Sequence, residues 1–177
     1  MKTRDLVVCS LFASMTAVLS QISIPLPNGI PLTLQLFAVF LCGVILGAKK
    51  GFISTLVYVA LGAIGLPVFA GFTGGFQYIV GYSGGFIISF PLVAFIIGFV
   101  SEKTDNMVLI LLSTILGLIV SYTIGTLVFS LVTNASISAS LAACVIPFIF
   151  TDLLKCFIAT VIGLKLKENI SIKSVLN

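Results

Sequence analysis

Long apolar runs fill almost the whole 177-residue chain, and only two charged side chains, Asp152 and Lys155, fall inside any of them. The remaining charged residues lie at the termini or in short connectors. A soluble domain carries about 25% charged residues, whereas this chain has 8%, with a mean hydropathy of +1.30. Such a sequence cannot cover a water-facing surface, and it predicts an all-α integral membrane protein. Strands of a membrane barrel read as short alternating segments, and those are absent.

The net charge of +4 does not point to nucleic acid, because the charges sit at segment ends as topology signals do. With no histidine, the chain lacks His-based metal sites, general bases and proton relays, and no metal or cofactor is expected. Cys9, Cys42, Cys144 and Cys156 all lie in apolar segments without CxxC spacing and read as small hydrophobes. The start, Met1–Lys2–Thr3–Arg4 before an apolar run, resembles a signal peptide, but no small-residue cleavage pattern follows Leu19. It reads as the first membrane helix.

Six transmembrane helices are expected, at about 5–24, 33–48, 51–69, 85–101, 107–131 and 139–166, in one membrane domain spanning 1–177. Pro25, Pro27 and Pro31 break the first connection, Pro67 marks the end of the third helix, and Pro147 falls inside the sixth. Lys2, Arg4, Lys49, Lys50, Lys103, Lys165, Lys167 and Lys173 occupy alternating ends and connectors, while 25–32, 70–84 and 132–138 carry no charge. An even number of spans puts both termini on one side, and the positive-inside rule makes that side cytoplasmic; a prokaryotic plasma membrane is the expected location.

The uncharged connector between helices three and four is glycine-rich. It contains Gly71–Phe72–Thr73–Gly74–Gly75–Phe76 and, ten residues on, Gly81–Tyr82–Ser83–Gly84–Gly85–Phe86. Each unit offers aromatic walls, one hydroxyl, and glycines that let backbone approach a ligand; a re-entrant loop with glycines for packing is the plainer alternative. Gln35 brings amide donors and an acceptor to the start of helix two, or else faces headgroups. Ser10, Ala13, Ser14 and Ala17 form a small-residue stripe on helix one. That stripe permits close packing inside the bundle or against a separate protein, as does Gly43–xxx–Gly47. No GxxxxGK[ST] sequence occurs, so any nucleotide-driven step belongs to another subunit.

An ion at membrane depth costs about 2.5–3.5 kcal/mol on insertion scales and is functional by default. Asp152 and Lys155, spaced i,i+3, share a helix face and can reach one ligand together. The competing reading is an ion pair that only fixes helix packing. A stand-alone carrier or channel that protonates Asp152 is another, and an enzyme is disfavoured by the lack of a nucleophile–base pair.

These pieces together resemble the BioY family, the biotin-capturing S components of energy-coupling factor (ECF) vitamin transporters. The resemblance runs through Pro31–Leu32–Thr33–Leu34–Gln35, Gly47–Ala48–Lys49–Lys50–Gly51, Leu61–Gly62–Ala63–Ile64–Gly65–Leu66–Pro67–Val68–Phe69, Gly81–Tyr82–Ser83–Gly84–Gly85–Phe86 and Asp152–Leu153–Leu154–Lys155. It implies a six-helix bundle with an external biotin pocket closed by the loop between helices three and four. It also implies biotin contacts from Asp152, Lys155 and Thr73, to which Gln35, Gly75, Tyr82, Ser83 and Phe86 are added as candidates. Ala13–xxx–Ala17 is similar to the motif that docks on a transmembrane coupling subunit, itself joined to two ATPase subunits. Three residues depart from the family pattern. Tyr82 stands where proline is common, Thr73 where Asn occurs in some relatives, and Ile87 where some members carry an arginine near the biotin carboxylate. Another vitamin is the nearest alternative ligand.

Overall fold

The computed structural model describes residues 2–27 and 29–169; Lys173 lies outside them. The first helix, α1, spans Thr3–Ser20, ending four residues before the expected limit. Pro25 forces the residue before it out of the helical region, and Ser23–Ile24 forms a strand, β1, paired antiparallel with β2, Leu32–Thr33. A two-stranded ribbon therefore stands at the edges of the first two expected helices, taking Ser23, Ile24 and Thr33 from them and Leu32 from the connector.

The next helical stretch, α2, spans Gln35–Ala63, with a non-helical Gly47 at φ 80° inside it. Its two arms fold back on each other: Gln35 Nε2 donates to the Tyr58 hydroxyl at 2.7 Å. In one straight helix those residues would stand about 34 Å apart. Helices were expected at 33–48 and 51–69; the reversal instead falls at Gly47, and Lys49 and Lys50 belong to the second arm. A Cβ at Gly47 would meet the Glu102 carboxylate, whose Oε1 accepts the Ala48 N–H at 2.9 Å and so caps the second arm. That arm stops at Ala63, not residue 69. Gly65 takes φ 106°, Gly65 N–H bonds Gly62 C=O, and Leu66 N–H bonds Leu61 C=O, which makes a Schellman ending.

A one-turn helix, α3, Phe76–Val80, lies in the glycine-rich loop. Helix α4 spans Gly84–Ser101 and α5 spans Met107–Thr133. Asn106 caps α5, accepting the Val108 and Leu109 N–H groups, and Asn134 ends it in the left-handed region. The expected sixth helix is two: α6, Ile137–Cys144, and α7, Ile149–Asn169, bent by 53° around Pro147. Among the described residues, four helices are long and apolar enough to cross a membrane, or five if α6 and α7 form one bent span.

The core lies where α2 packs on α1, α4 and α7. Gly43 sits against Ala94 and Ile97, and Gly98 against the Gly47–Ala48 backbone, so these glycines serve contacts within the chain. On α1, Cys9, Ala13, Thr16 and Ser20 face inward. Ala13 is buried in the core and Ala17 packs partly buried against it; the exposed small residues of the stripe are Ser10 and Ser14. The side chain of Ala13 is therefore occupied inside the bundle rather than presented to a partner.

Ion pairs gather the basic ends at one pole. Asp5 meets Lys50 at 2.8 Å and Lys167 meets Asp105 at 2.9 Å. The uncharged connectors gather at the other pole: Ser20 and Gln21, at the end of α1, bond the Val68 carbonyl.

Candidate functional site

At the uncharged pole, a cavity of about 430 Å³ opens between the first connector, the glycine-rich loop and helices α4 to α7. Ligand cavities are about 300–1,000 Å³, mostly apolar, with a few placed polar groups. Here Phe69, Tyr78, Phe86, Phe90 and Phe148 supply aromatic walls.

Asp152 and Lys155 both line the cavity and are only 4% and 8% exposed. Pro147 interrupts the last span and α7 restarts at Ile149, which puts Asp152 in its first turn. A carboxylate is favoured there by the helix dipole. Lys155 Nζ donates to Asp152 Oδ1 at 2.6 Å, and the Tyr122 hydroxyl, from the middle of α5, donates to Asp152 Oδ2 at 2.8 Å. Both carboxylate oxygens are thus engaged, which offsets part of the cost of burying the pair. The ammonium uses one of its three donors on Asp152, leaving two for a ligand.

Gln35 lines the same cavity, and its amide begins a buried relay. Gln35 Nε2 donates to Tyr58, and the Tyr58 hydroxyl donates at 3.0 Å to the Val68 carbonyl. Ser20 Oγ donates to that same carbonyl at 2.6 Å. Gln21 completes the connection, its Oε1 accepting the Phe72 N–H at 2.8 Å. The cavity floor, the end of α1 and the loop above are therefore joined by hydrogen bonds.

Thr73, Ser83 and Phe86 also line the cavity. Phe69 and Thr73 exchange backbone hydrogen bonds, closing a tight loop that drives the Phe69 ring down onto Gly62 and Tyr58. Gly75 and Tyr82 are not among the lining residues. Gly75, at φ 114°, donates to Gly62 C=O at 2.7 Å and starts α3. The Tyr82 ring lies against Gly29, where a Cβ would come within 3.2 Å of it. These two residues shape the cover and join it to the first connector. Ile87 is buried and contributes an apolar wall.

Tyr122, Phe69, Tyr78, Phe90 and Phe148 were not among the sequence candidates. Tyr122 had a usable signal: a buried phenol in an apolar span needs a partner, and Asp152 was the one anion at that depth. The aromatic walls had none, since their convergence depends on tertiary packing. Among the described residues, no three or more His, Cys, Asp or Glu side chains are grouped to hold a metal ion.

Comparison with known proteins agrees with this geometry. The "BioY family" model matches residues 1–171. A protein described as a probable biotin transporter BioY, from Pyrococcus horikoshii, is 40% identical over 96% of this chain and 99% of its own length. The biotin transporter BioY of Thermotoga maritima is 40% identical over 93% of this chain and 96% of its own. The crystal structure of the S component for biotin from an ECF-type ABC transporter superposes with a TM-score of 0.90. It is 28% identical, and the match covers 99% of this chain and 97% of that one. The chain is a multi-pass membrane protein, and it belongs to the BioY family.

Proposed function

We propose that this chain is the substrate-binding S component of an ECF-type vitamin transporter and that its cavity captures biotin. The observation that carries this reading is the Asp152–Lys155–Tyr122 cluster, buried and yet lining an aromatic cavity at the uncharged pole. Biotin has a cyclic urea with two N–H donors and one carbonyl, an apolar bicyclic body, and an acidic tail. A carboxylate accepts from the urea, an ammonium donates to its carbonyl, and Phe69, Phe86, Phe90 and Phe148 enclose the ring and chain. The shared fold of the crystallised S component for biotin supports the assignment.

The two arms of α2, the bent α6–α7 pair, α1, α4 and α5 make six passes in this reading, with both termini in the cytoplasm and the cavity facing outward. Lys50, Lys103 and Lys167 at one pole and no charge at the other support that orientation. The protein sits in a prokaryotic plasma membrane. It passes biotin inward with a transmembrane coupling subunit and two ATPases, a division of labour consistent with the absence of a GxxxxGK[ST] sequence from this chain. Biotin is cargo rather than cofactor, and no bond is made or broken. Ala17 and the outward side of α1 around Ser10 and Ser14 are the small-residue surface available for the coupling subunit.

Calorimetry with biotin, thiamin and riboflavin tests the ligand; tight binding of thiamin or riboflavin without biotin binding overturns the assignment. Uptake of labelled biotin by liposomes holding this chain alone, against liposomes that also hold the ATPase module and ATP, tests the mechanism. Uptake that ignores ATP and follows membrane potential favours the stand-alone carrier.

A further inference from the structure

The cover of the cavity has an outer surface that the binding reading does not use. Phe72 is 73% exposed and Phe76 64%, with Ile64 and Val80 exposed beside them in sequence. No Asp, Glu, Lys, Arg or His occurs from Gly51 to Ser101, so this surface carries no charge. Phe72 also adopts φ 57°, a left-handed conformation that is an outlier for a bulky residue. The Gln21 carboxamide holds it there, and the ring gains no burial within the chain in return.

The two helices that flank the cover say what covers this surface. On α4, Ile88, Leu92, Phe95 and Phe99 are exposed at helical spacing; on the second arm of α2 Leu56 is exposed, as is Ile64 just past its end. Phe52 meets Phe95 edge-on at 6.4 Å, so the two apolar faces adjoin. At the basic pole this shared face ends where Lys103 Nζ lies 3.7 Å over the Phe99 ring, a cation at a membrane boundary. From Ser101 back to Gly84, α4 has 18 residues and rises about 27 Å. The hydrocarbon layer is about 30 Å thick, so residues just beyond Gly84 meet its far edge rather than bulk water.

We propose that the loop 66–82 is seated in the outer membrane interface, with Phe72, Phe76 and Val80 in contact with lipid. The occupant of the surface is the bilayer that already covers α2 and α4, and it holds the cover from outside as Gln21 holds it from inside. The chain has no tryptophan, so Phe72→Trp and Phe76→Trp each create a single fluorescent reporter; Ile88→Trp is the lipid-facing control. The full chain is placed in phosphatidylcholine vesicles with and without brominated acyl chains. Bromolipid is expected to quench both cover reporters as it quenches the control, with iodide in the aqueous phase less effective. Stronger quenching by iodide than by bromolipid at both positions overturns the proposal. Phe72→Asn keeps a residue that tolerates the left-handed backbone and removes the lipid contact. It is expected to speed biotin release from vesicles about tenfold, and an unchanged rate overturns the claim that lipid holds the cover. That second measurement rests on the biotin reading, whereas quenching needs no ligand, so the two failures are distinguishable.

Discussion

Replacing both members of the buried pair at once, as Asp152→Leu with Lys155→Met, separates a ligand-binding role from a packing role. Removing one partner alone confounds them. Asp152→Asn leaves an ammonium that is 8% exposed without its 2.6 Å counter-ion, and breaking a buried pair in that way costs about 3–5 kcal/mol of stability. Exchanging the whole pair for apolar residues of similar size is typically neutral or stabilising, by about 1–4 kcal/mol. The one polar group then left over is the Tyr122 hydroxyl, which loses its 2.8 Å acceptor at a cost of about 1–3 kcal/mol. The double variant is therefore expected to unfold within a few degrees of the parent chain. Its ligand, however, loses two charge-assisted hydrogen bonds, each worth about 1.5–3 kcal/mol. The sum corresponds to roughly a 10²- to 10⁴-fold loss in affinity. Thermal unfolding followed by size-exclusion chromatography gives the first quantity and calorimetry with biotin the second. A folded double variant that binds biotin with the parent affinity refutes the pocket assignment and leaves the pair as a packing device.

Three further substitutions test other joints of the site. Tyr122→Phe removes one hydrogen bond to a charged group and is expected to weaken biotin binding about tenfold while the chain stays folded, measured by calorimetry; unchanged affinity detaches Tyr122 from the cluster. Gln21→Ala cuts the amide links from α1 to Val68, Phe69 and Phe72, so hydrogen exchange at the Phe72 amide and the biotin off-rate should both rise, with little change in association rate. Gly62→Ala drives a methyl group into the Phe69 ring and should cost about 1–3 kcal/mol, read as a lower unfolding midpoint.

Much of this architecture could be read in the sequence because membrane spans obey simple rules. Apolar length fixed α4 and α5 nearly to the residue, and prolines marked the first connection and the break before α7. What escaped was set by distant partners. The α2 reversal moved to Gly47 because Glu102, far along the chain, caps Ala48 there. Helix α2 stopped short of residue 69 because Phe69 was needed in the core, against Gly62 and Tyr58. The site divided in the same way. Asp152 and Lys155 stood out by energetic cost alone, whereas the cavity's aromatic walls come from four separate segments whose convergence no local pattern reveals. The small stripe on α1 showed that something packs closely there, but the spacing alone did not say that Ala13 faces the protein's own core.

The electrostatics of the cavity also bear on which end of biotin lies deepest. Among the described residues, Asp152 and Lys155 are the only Asp, Glu, Lys or Arg side chains that line it, and their charges cancel. A biotin carboxylate beside Lys155 would also stand close to Asp152. Two like charges about 4 Å apart repel by about 4 kcal/mol at an effective dielectric of 20, which consumes most of the attraction to the shared ammonium. The urea carries no net charge, and it offers N–H groups to Asp152 and a carbonyl to Lys155. With Ile87 buried in the wall, no further lining cation among the described residues draws the acid inward, so the tail is expected to point toward the cover and water. Biotin methyl ester, which keeps the urea and loses the charge, should then bind within about tenfold of biotin, since an exposed charge contributes about 0–1 kcal/mol. An analogue methylated on a urea nitrogen should lose a charge-assisted hydrogen bond and bind at least tenfold more weakly. The reverse order in a calorimetric comparison would place the carboxylate at Lys155 and overturn this orientation.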